Sequence, residues 1–258
     1  MRQKRVLVIN QYFPPDTAAT AKMVAQLVAY LSRQFAITVL AGRPSYNPTE
    51  RHPFYLWRRE RWGAVVVERV GSTALPRHRM RWRLSNYLTY LAFALPRALA
   101  LPADIIIAMT DPPLTCLLGA FVARWRKLPF IYNIRDLHPD MAIAAGLLPP
   151  CRWTESWERL HRWAMRQADW IVVLGEDMKE RVIAKGVPPQ KIVVVRDGTF
   201  IPSPNRNPFR GRQGWRPPPE ARRLLGCFEG GQDRHRQNWC KGSAPHLPTE
   251  PLPPCGNQ

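Results

Sequence analysis

PFIYNIRDLHPD, residues Pro129–Asp140, decides how this chain is read. Its first half, Phe130–Ile134, is a short apolar run in which Ile and Tyr favour a strand. Within two residues it becomes a crowd of charge: Arg135, Asp136, His138 and Asp140, with Pro139 fixing the backbone among them. An apolar strand that opens straight into polar, turn-forming residues is how an α/β protein presents a site. Open parallel sheets take ligands in the crevice outside the carboxyl ends of their strands. The functional edge is therefore expected here.

The same pattern recurs on both sides of this stretch. Val6–Ile9 is a continuous apolar run that ends in Asn10-Gln11-Tyr12-Phe13-Pro14-Pro15-Asp16-Thr17. From Ala18 to about Arg33, Ala21, Val24, Leu27, Val28 and Leu31 recur at helical spacing, with Asp16 or Thr17 placed to cap the helix. Ile37–Leu40 reads as a second strand and Pro44–Trp62 as a long polar loop. Val65–Val70, Asp104–Ala108, Ile171–Leu174 and Ile192–Val195 read as further buried strands. Helices are expected at Leu84–Leu101, Leu114–Trp125, Trp153–Gln167 and Glu176–Lys185, the last stopped by Gly186. Repeated β-α units with short buried strands predict a doubly wound, mostly parallel sheet covered on both faces.

The chain has 258 residues, 45% of them hydrophobic, enough for one large domain or two ordinary ones. Its formal net charge is +19, a balance that favours an anionic partner. The five cysteines fit no zinc spacing and suggest no disulfide framework; Cys116 falls in an expected helix as a buried thiol. The basic start MRQKRVLVIN passes at once into a strand too short for a signal peptide, which points to a cytoplasmic compartment.

Two segments stand apart. Arg77, Arg79, Arg81 and Arg83, with Trp82, precede an apolar helix too interrupted to span a bilayer with its Ser85, Asn86 and Thr89. That pairing fits an element lying on a membrane surface; a solvated arginine loop before a domain helix explains it equally. After Pro204 the apolar runs stop. Residues 205–258 are rich in Pro, Gly and Arg and cannot bury enough to offset their ordering entropy. With the isolated Cys227, Cys240, Cys255 and Trp239, this tail reads as the product of a shifted reading frame; the rival is a disordered basic tail for an anionic partner. The expected division is a domain at 1–204 and a disordered tail at 205–258.

Four segments in order, QYFPPD at Gln11–Asp16, NIRDLHPD at Asn133–Asp140, ADWIVVLGEDM at Ala168–Met178 and GVPPQKIVVVRDG at Gly186–Gly198, resemble family 4 glycosyltransferases. More narrowly, they are similar to the bacterial members that extend lipid-linked surface polysaccharides. The resemblance covers about residues 4–204. It implies the GT-B architecture, two Rossmann-like domains facing a cleft, of which this chain carries the amino-terminal, acceptor-side half. It implies a nucleotide-diphosphate sugar as donor substrate, bound mainly by a carboxyl-terminal domain with paired glutamates, and a lipid-linked or glycan acceptor. No counterpart of those glutamates is expected at Glu220, Glu229 or Glu250. Ala18-Ala19 stands where the family often has adjacent glycines, and Arg196-Asp197-Gly198 where it commonly has Asn-Gly.

His138 is the leading candidate for chemistry. A histidine flanked by Asp136 and Asp140 can carry a proton and be oriented by a carboxylate, and the resemblance places it against the transferred sugar. Its alternative role is to shape the loop. Asp136 shares that reading, and Arg135 is expected either to pair with Asp136 or to meet substrate. Asp16, Thr17 and Asp111 are candidates for acceptor hydroxyls, against capping and turn formation. His52, Tyr55 and Trp57 could stack on a sugar or touch lipid. A metal at His138, Asp136 and Asp140 is conceivable from the residues, but the resemblance argues against one; no bound cofactor is expected.

Other classes compete. A basic protein that binds nucleic acid or a membrane surface without catalysis fits the charge, yet no helix–turn–helix, zinc or RNA-binding motif is present and nucleic acid is not expected. A nucleotide-dependent oxidoreductase would want G-x-G-x-x-G after the first strand, and this sequence lacks it. By resemblance the intact parent transfers a sugar, this chain alone is expected to be inactive, and its place is the cytoplasm or the inner face of the plasma membrane.

Overall fold

The computed structural model describes residues 3–46, 53–75 and 80–197. The tail at 205–258, His52, Arg77 and Arg79 lie outside these residues, as does the side chain of Arg81.

The apolar runs form an eight-stranded sheet: β1 (Arg5–Ile9), β2 (Ala36–Gly42), β3 (Trp57–Trp62), β4 (Val65–Val70), β5 (Ile105–Ala108), β6 (Phe130–Asn133), β7 (Trp170–Val173) and β8 (Ile192–Val194). The spatial order is β3-β4-β2-β1-β5-β6-β7-β8, and all neighbours are parallel except β3 and β4. Among the described residues six α-helices connect them: α1 (Ala19–Leu31), α2 (Met80–Ala100), α3 (Thr115–Arg126), α4 (Asp140–Ala144), α5 (Arg152–Gln167) and α6 (Glu176–Ala184). This is the doubly wound α/β sheet that the strand pattern predicts.

Strand alternation divides the core in two. Leu7 and Ile9 of β1, Ile106 of β5, and Phe130 and Tyr132 of β6 point to one side, where Tyr90, Ala94 and Ala98 of α2, α3, and Ala164 and Met165 of α5 cover them. Val6, Val8, Ile105, Ile107 and Ile131 point to the other, against Val24, Ala25 and Val28 of α1. A strand buried on both faces favours apolar residues at successive positions, which is why most of these runs are continuous rather than alternating; β4 departs from this at Glu68 and Arg69, which are buried and ion-paired. Close packing is set at Gly119 of α3, where an added Cβ would lie 2.7 Å from both Ala108 Cβ and Phe130 Cε2.

Two expectations are corrected. The stretch Pro44–Trp62 is not loop throughout: its end forms β3, antiparallel to β4, with Arg59 opposite Glu68 and Trp57 opposite Val70. WRRERW is charged because it is an outer strand, where charge is admitted and blocks further pairing. Arg59 and Arg97 both bind Glu68, a carboxylate with no solvent exposure, so these charges neutralise a buried acid. The basic segment before α2 also ends earlier than expected, because the helix begins at Met80 and takes in Trp82 and Arg83. Arg83 is partly buried, and its Nη2 donates to Tyr87 Oη at 3.2 Å.

Candidate active site at the sheet's switch point

From β1 the chain winds outward through β2 to one side and through β5 to the other. Strand order reverses between β1 and β5, and the crevice outside their carboxyl ends is where such sheets bind ligands. Four strand exits meet there. Gln11 N donates to the Asp111 carbonyl at 2.8 Å, tying the exit of β1 to that of β5. Gly42 N donates to the Gln11 carbonyl at 2.8 Å, adding the exit of β2. Thr110 Oγ1 accepts from Arg135 N at 3.3 Å, adding the exit of β6.

Buried polar atoms collect at this edge. Gln11 has no solvent exposure, and among the described residues neither its Oε1 nor its Nε2 has a hydrogen-bond partner. Asn10 is equally buried; its Nδ2 donates to the Tyr12 carbonyl at 2.7 Å while Oδ1 is unpartnered. Asn133 Oδ1 at the end of β6, Ser72 Oγ after β4 and His138 Nδ1 are likewise unpartnered. Buried polar atoms are nearly always hydrogen-bonded, so a concentration of exceptions demands a cause. A polar ligand in the crevice supplies one.

His138 is held by stacking: its ring lies on Trp157 of α5, with centroids 5.8 Å apart and planes 10° from parallel. Burial pushes its pKa below the ordinary histidine value, against the opposite pull of Asp136 and Asp111. The imidazole is therefore neutral near pH 7, with Nδ1 open. Asp140 is engaged elsewhere, its Oδ1 accepting from Lys185 Nζ at 2.8 Å, and Lys185 also reaches Glu158 Oε1 at 2.8 Å. Behind the loop, Tyr132 Oη lies 2.8 Å from His161 Nε2.

Other expected site residues separate. Arg135 does not pair with Asp136; it bridges to Asp197 beyond β8, which leaves Asp136 half-buried near His138 and Tyr132. Neither Asp16 nor Thr17 caps α1: the N-cap position is Ala18, with no side-chain hydrogen bond. Asp16 is buried instead, and its Oδ1 accepts from Ser45 N at 2.9 Å and Tyr46 N at 2.8 Å. Burial raises its pKa, and Oδ2 is unpartnered. Thr17 is exposed. Asp111 Oδ2 accepts from Thr20 Oγ1 at 2.6 Å, so this acid secures the first turn of α1. Tyr55 lines a pocket of about 150 Å³ with Arg58, Glu60 and Arg69, bordered by Pro15 and Pro44 of the β1 and β2 exits, and Trp57 is exposed on β3. Cys116 is a buried thiol of α3, its pKa pushed up to about 12 by burial. Among the described residues no group of His, Cys, Asp and Glu converges to hold a metal ion, and no helix is long and apolar enough to cross a membrane.

Asn10, Gln11, Ser72 and Asn133 join the candidate site, and reading the sequence did not single them out. For Asn10, Gln11 and Asn133 a signal was available: an amide at the carboxyl end of an apolar strand run.

Fold and crevice together define a doubly wound α/β protein with its ligand edge at the β1/β5 reversal. The chain belongs to the glycosyl transferase 4-like domain family, whose pattern matches residues 19–198. Among solved structures it is similar to a sucrose-phosphate synthase from Thermosynechococcus elongatus, at 11% identity and a TM-score of 0.51, over 76% of this chain and 49% of that one. It is also similar to HepE of Anabaena in complex with UDP and glucose, at 14% identity and a TM-score of 0.46, over 77% and 45%. A lipopolysaccharide outer core galactosyltransferase aligns at 13% identity and a TM-score of 0.42, over 79% and 50%. The chain spans about half the length of these structures. No curated protein matches it.

Proposed function

We propose that residues 1–204 form the acceptor-side half of a glycosyltransferase that moves a sugar from a nucleotide diphosphate to a hydroxyl of a lipid-linked or nascent glycan. The observation that carries this is Gln11, buried at the switch point with both amide atoms unpartnered. An amide that both donates and accepts suits a sugar hydroxyl, which does the same. Asn10, Asn133 and the neutral His138 add acceptors around one crevice, and family membership supports sugar transfer as the class of chemistry.

In this reading His138 contacts the transferred sugar, with Asp136 beside it and Arg135 and Asp111 shaping the mouth. Asp16 offers one carboxylate oxygen, and Thr17 lies at the rim. The donor is bound by a second domain, and residues 205–258 are a shifted frame in place of its start. Acceptor phosphates meet Arg77, Arg79, Arg81, Trp82 and Arg83 at the inner face of the plasma membrane.

The test has two parts. The gene is resequenced across the codons for Ile201–Trp215 and translated in all frames, and any donor domain found is joined to residues 1–204. Purified protein is then given a panel of nucleotide sugars and a lipid extract. Transfer by the joined protein alone, reduced by Gln11→Ala, is the expected result. Turnover by the present chain sinks the two-part reading, and no transfer by the joined protein sinks the function.

A further inference from the structure

The helical layer over β1, β5, β6 and β7 has an outer surface that the site does not use. On α3, Phe121 and Trp125 stack with centroids 6.0 Å apart, and Trp125 is 71% exposed. On the adjacent α5, Trp153 and Leu160 are each 51% exposed and Trp163 is 38% exposed. Arg124 Nη1 reaches Gln167 Oε1 at 3.4 Å, so the last turns of the two helices lie side by side. Tryptophan left in water on two neighbouring helices is unusual for a surface that stays wet.

Basic residues predominate around these side chains. Arg124 and Lys127 flank Trp125, while Arg159 and Arg166 alternate with Leu160 and Trp163 along the exposed line of α5. Glu155, on the same helix, is paired with Arg159 at 2.5 Å. Tryptophan interleaved with arginine suits the headgroup level of a bilayer, where the ring body is apolar and the cations meet lipid phosphate.

The surface also leads to the crevice. Trp153 packs edge-on against Trp157 at 5.3 Å, and Trp157 is the residue on which His138 stacks. Leu147, 61% exposed, and Met141, 46% exposed, lie on α4 and the turn after it, between His138 and α5 in the chain. An apolar strip thus joins the outer face of α5 to the side of the candidate site.

We propose that α3 and α5 form a lipid-facing surface that lays this domain on an anionic bilayer with the β6 edge of the crevice at the headgroups. This face is distinct from the Arg77–Arg83 segment. It requires no sugar transfer, so it stands or falls separately from the proposed function.

The full chain is tested by co-sedimentation with vesicles of phosphatidylcholine alone and of phosphatidylcholine mixed with phosphatidylglycerol. Wild type is expected to bind the anionic vesicles. The double variant Trp125→Ser, Trp163→Ser is expected to bind them on the order of tenfold more weakly, with unchanged circular dichroism. Arg159→Glu with Arg166→Glu should weaken binding similarly without touching an aromatic ring. Binding that depends on salt but ignores all four substitutions assigns the membrane contact to other basic residues and overturns the proposal. So does a wild-type dimer that Trp125→Ser, Trp163→Ser converts to monomer, because a second copy then covers the face.

Discussion

The imidazole of His138 lies flat on the indole of Trp157, 5.8 Å between centroids and 10° between planes. The contact joins the loop after β6 to α5, two elements separated in the chain by α4. The stacked indole covers one face of the ring, and burial is the main cause of the lowered His138 pKa. Trp157→Ala should therefore raise that pKa toward the ordinary value of about 6.5. Trp157→Phe should leave it closer to wild type. The measurement is an NMR titration of the ring Cε1–H. An unchanged midpoint in the alanine variant means that burial of His138 comes from elsewhere. Loss of the stacked pair should also cost about 1 kcal/mol of stability.

His161 makes a separate prediction about acid. Burial, with Lys185 and His138 acting in the same direction, lowers its pKa to about 4. An unfolded histidine titrates near 6.5. Because the folded value is depressed, the neutral ring stabilises the fold fully above about pH 6.5. That contribution is lost as pH falls through the interval down to about 4. A gap of roughly 2.5 units corresponds to about 3 kcal/mol. Urea unfolding at about pH 7 and about pH 4 should show wild type losing roughly that much more stability than His161→Gln. Equal losses would show that the acid limb belongs to the carboxylates.

The sheet was legible because the inner strands are mostly continuous apolar runs, which leave no second face to assign; β4 departs from this, with Glu68 and Arg69 buried in it. WRRERW was not legible, since an outer strand with both faces near water carries no apolar run. The place of Asp16 before α1 suggests a cap as readily as an acceptor contact, whereas its hydrogen bonds go to Ser45 and Tyr46, nearly thirty residues away. Likewise Arg135 has Asp136 as its neighbour in sequence but finds Asp197 across the sheet. Sequence proximity is a guide to capping and to helical pairs, and fails where two strand-exit loops converge. His138 was visible as a histidine among charges. The partner that orients it was not, because Trp157 reads as one more residue on a helix face.

Glu68 tests how much the outer strand contributes. The carboxylate is fully buried, Arg97 donates to Oε2 at 2.9 and 3.1 Å, and Arg59 holds Oε1. Arg59 is 62% exposed at its side chain and Arg97 only 29%. Arg97→Met should cost roughly 3 kcal/mol, because it leaves a buried charge with half its compensation. Arg59→Met should cost no more than about 1 kcal/mol, because water solvates that end of the pair already. Chemical denaturation of both variants gives the comparison. Equal costs would place the compensation of Glu68 outside these two arginines.

Gly119 sets two effects against each other. Alanine is favoured over glycine inside a helix by about 1 kcal/mol, so Gly119→Ala on an exposed helix would stabilise. Here the new methyl would meet Ala108 Cβ of β5 and Phe130 Cε2 of β6 at 2.7 Å each. Neither is the loose end of a flexible chain: Ala108 is fixed to its strand, and the Phe130 ring is fully buried. Helix α3 must then move off the sheet, and overpacking of that kind costs roughly 1–3 kcal/mol. The packing term should win, giving a net loss of up to about 2 kcal/mol on the same scales. The loss should be partly recovered when Phe130→Leu, which removes the clashing ring edge, is added. A thermal midpoint that rises in Gly119→Ala would show that α3 sits farther from β5 and β6 than these contacts state.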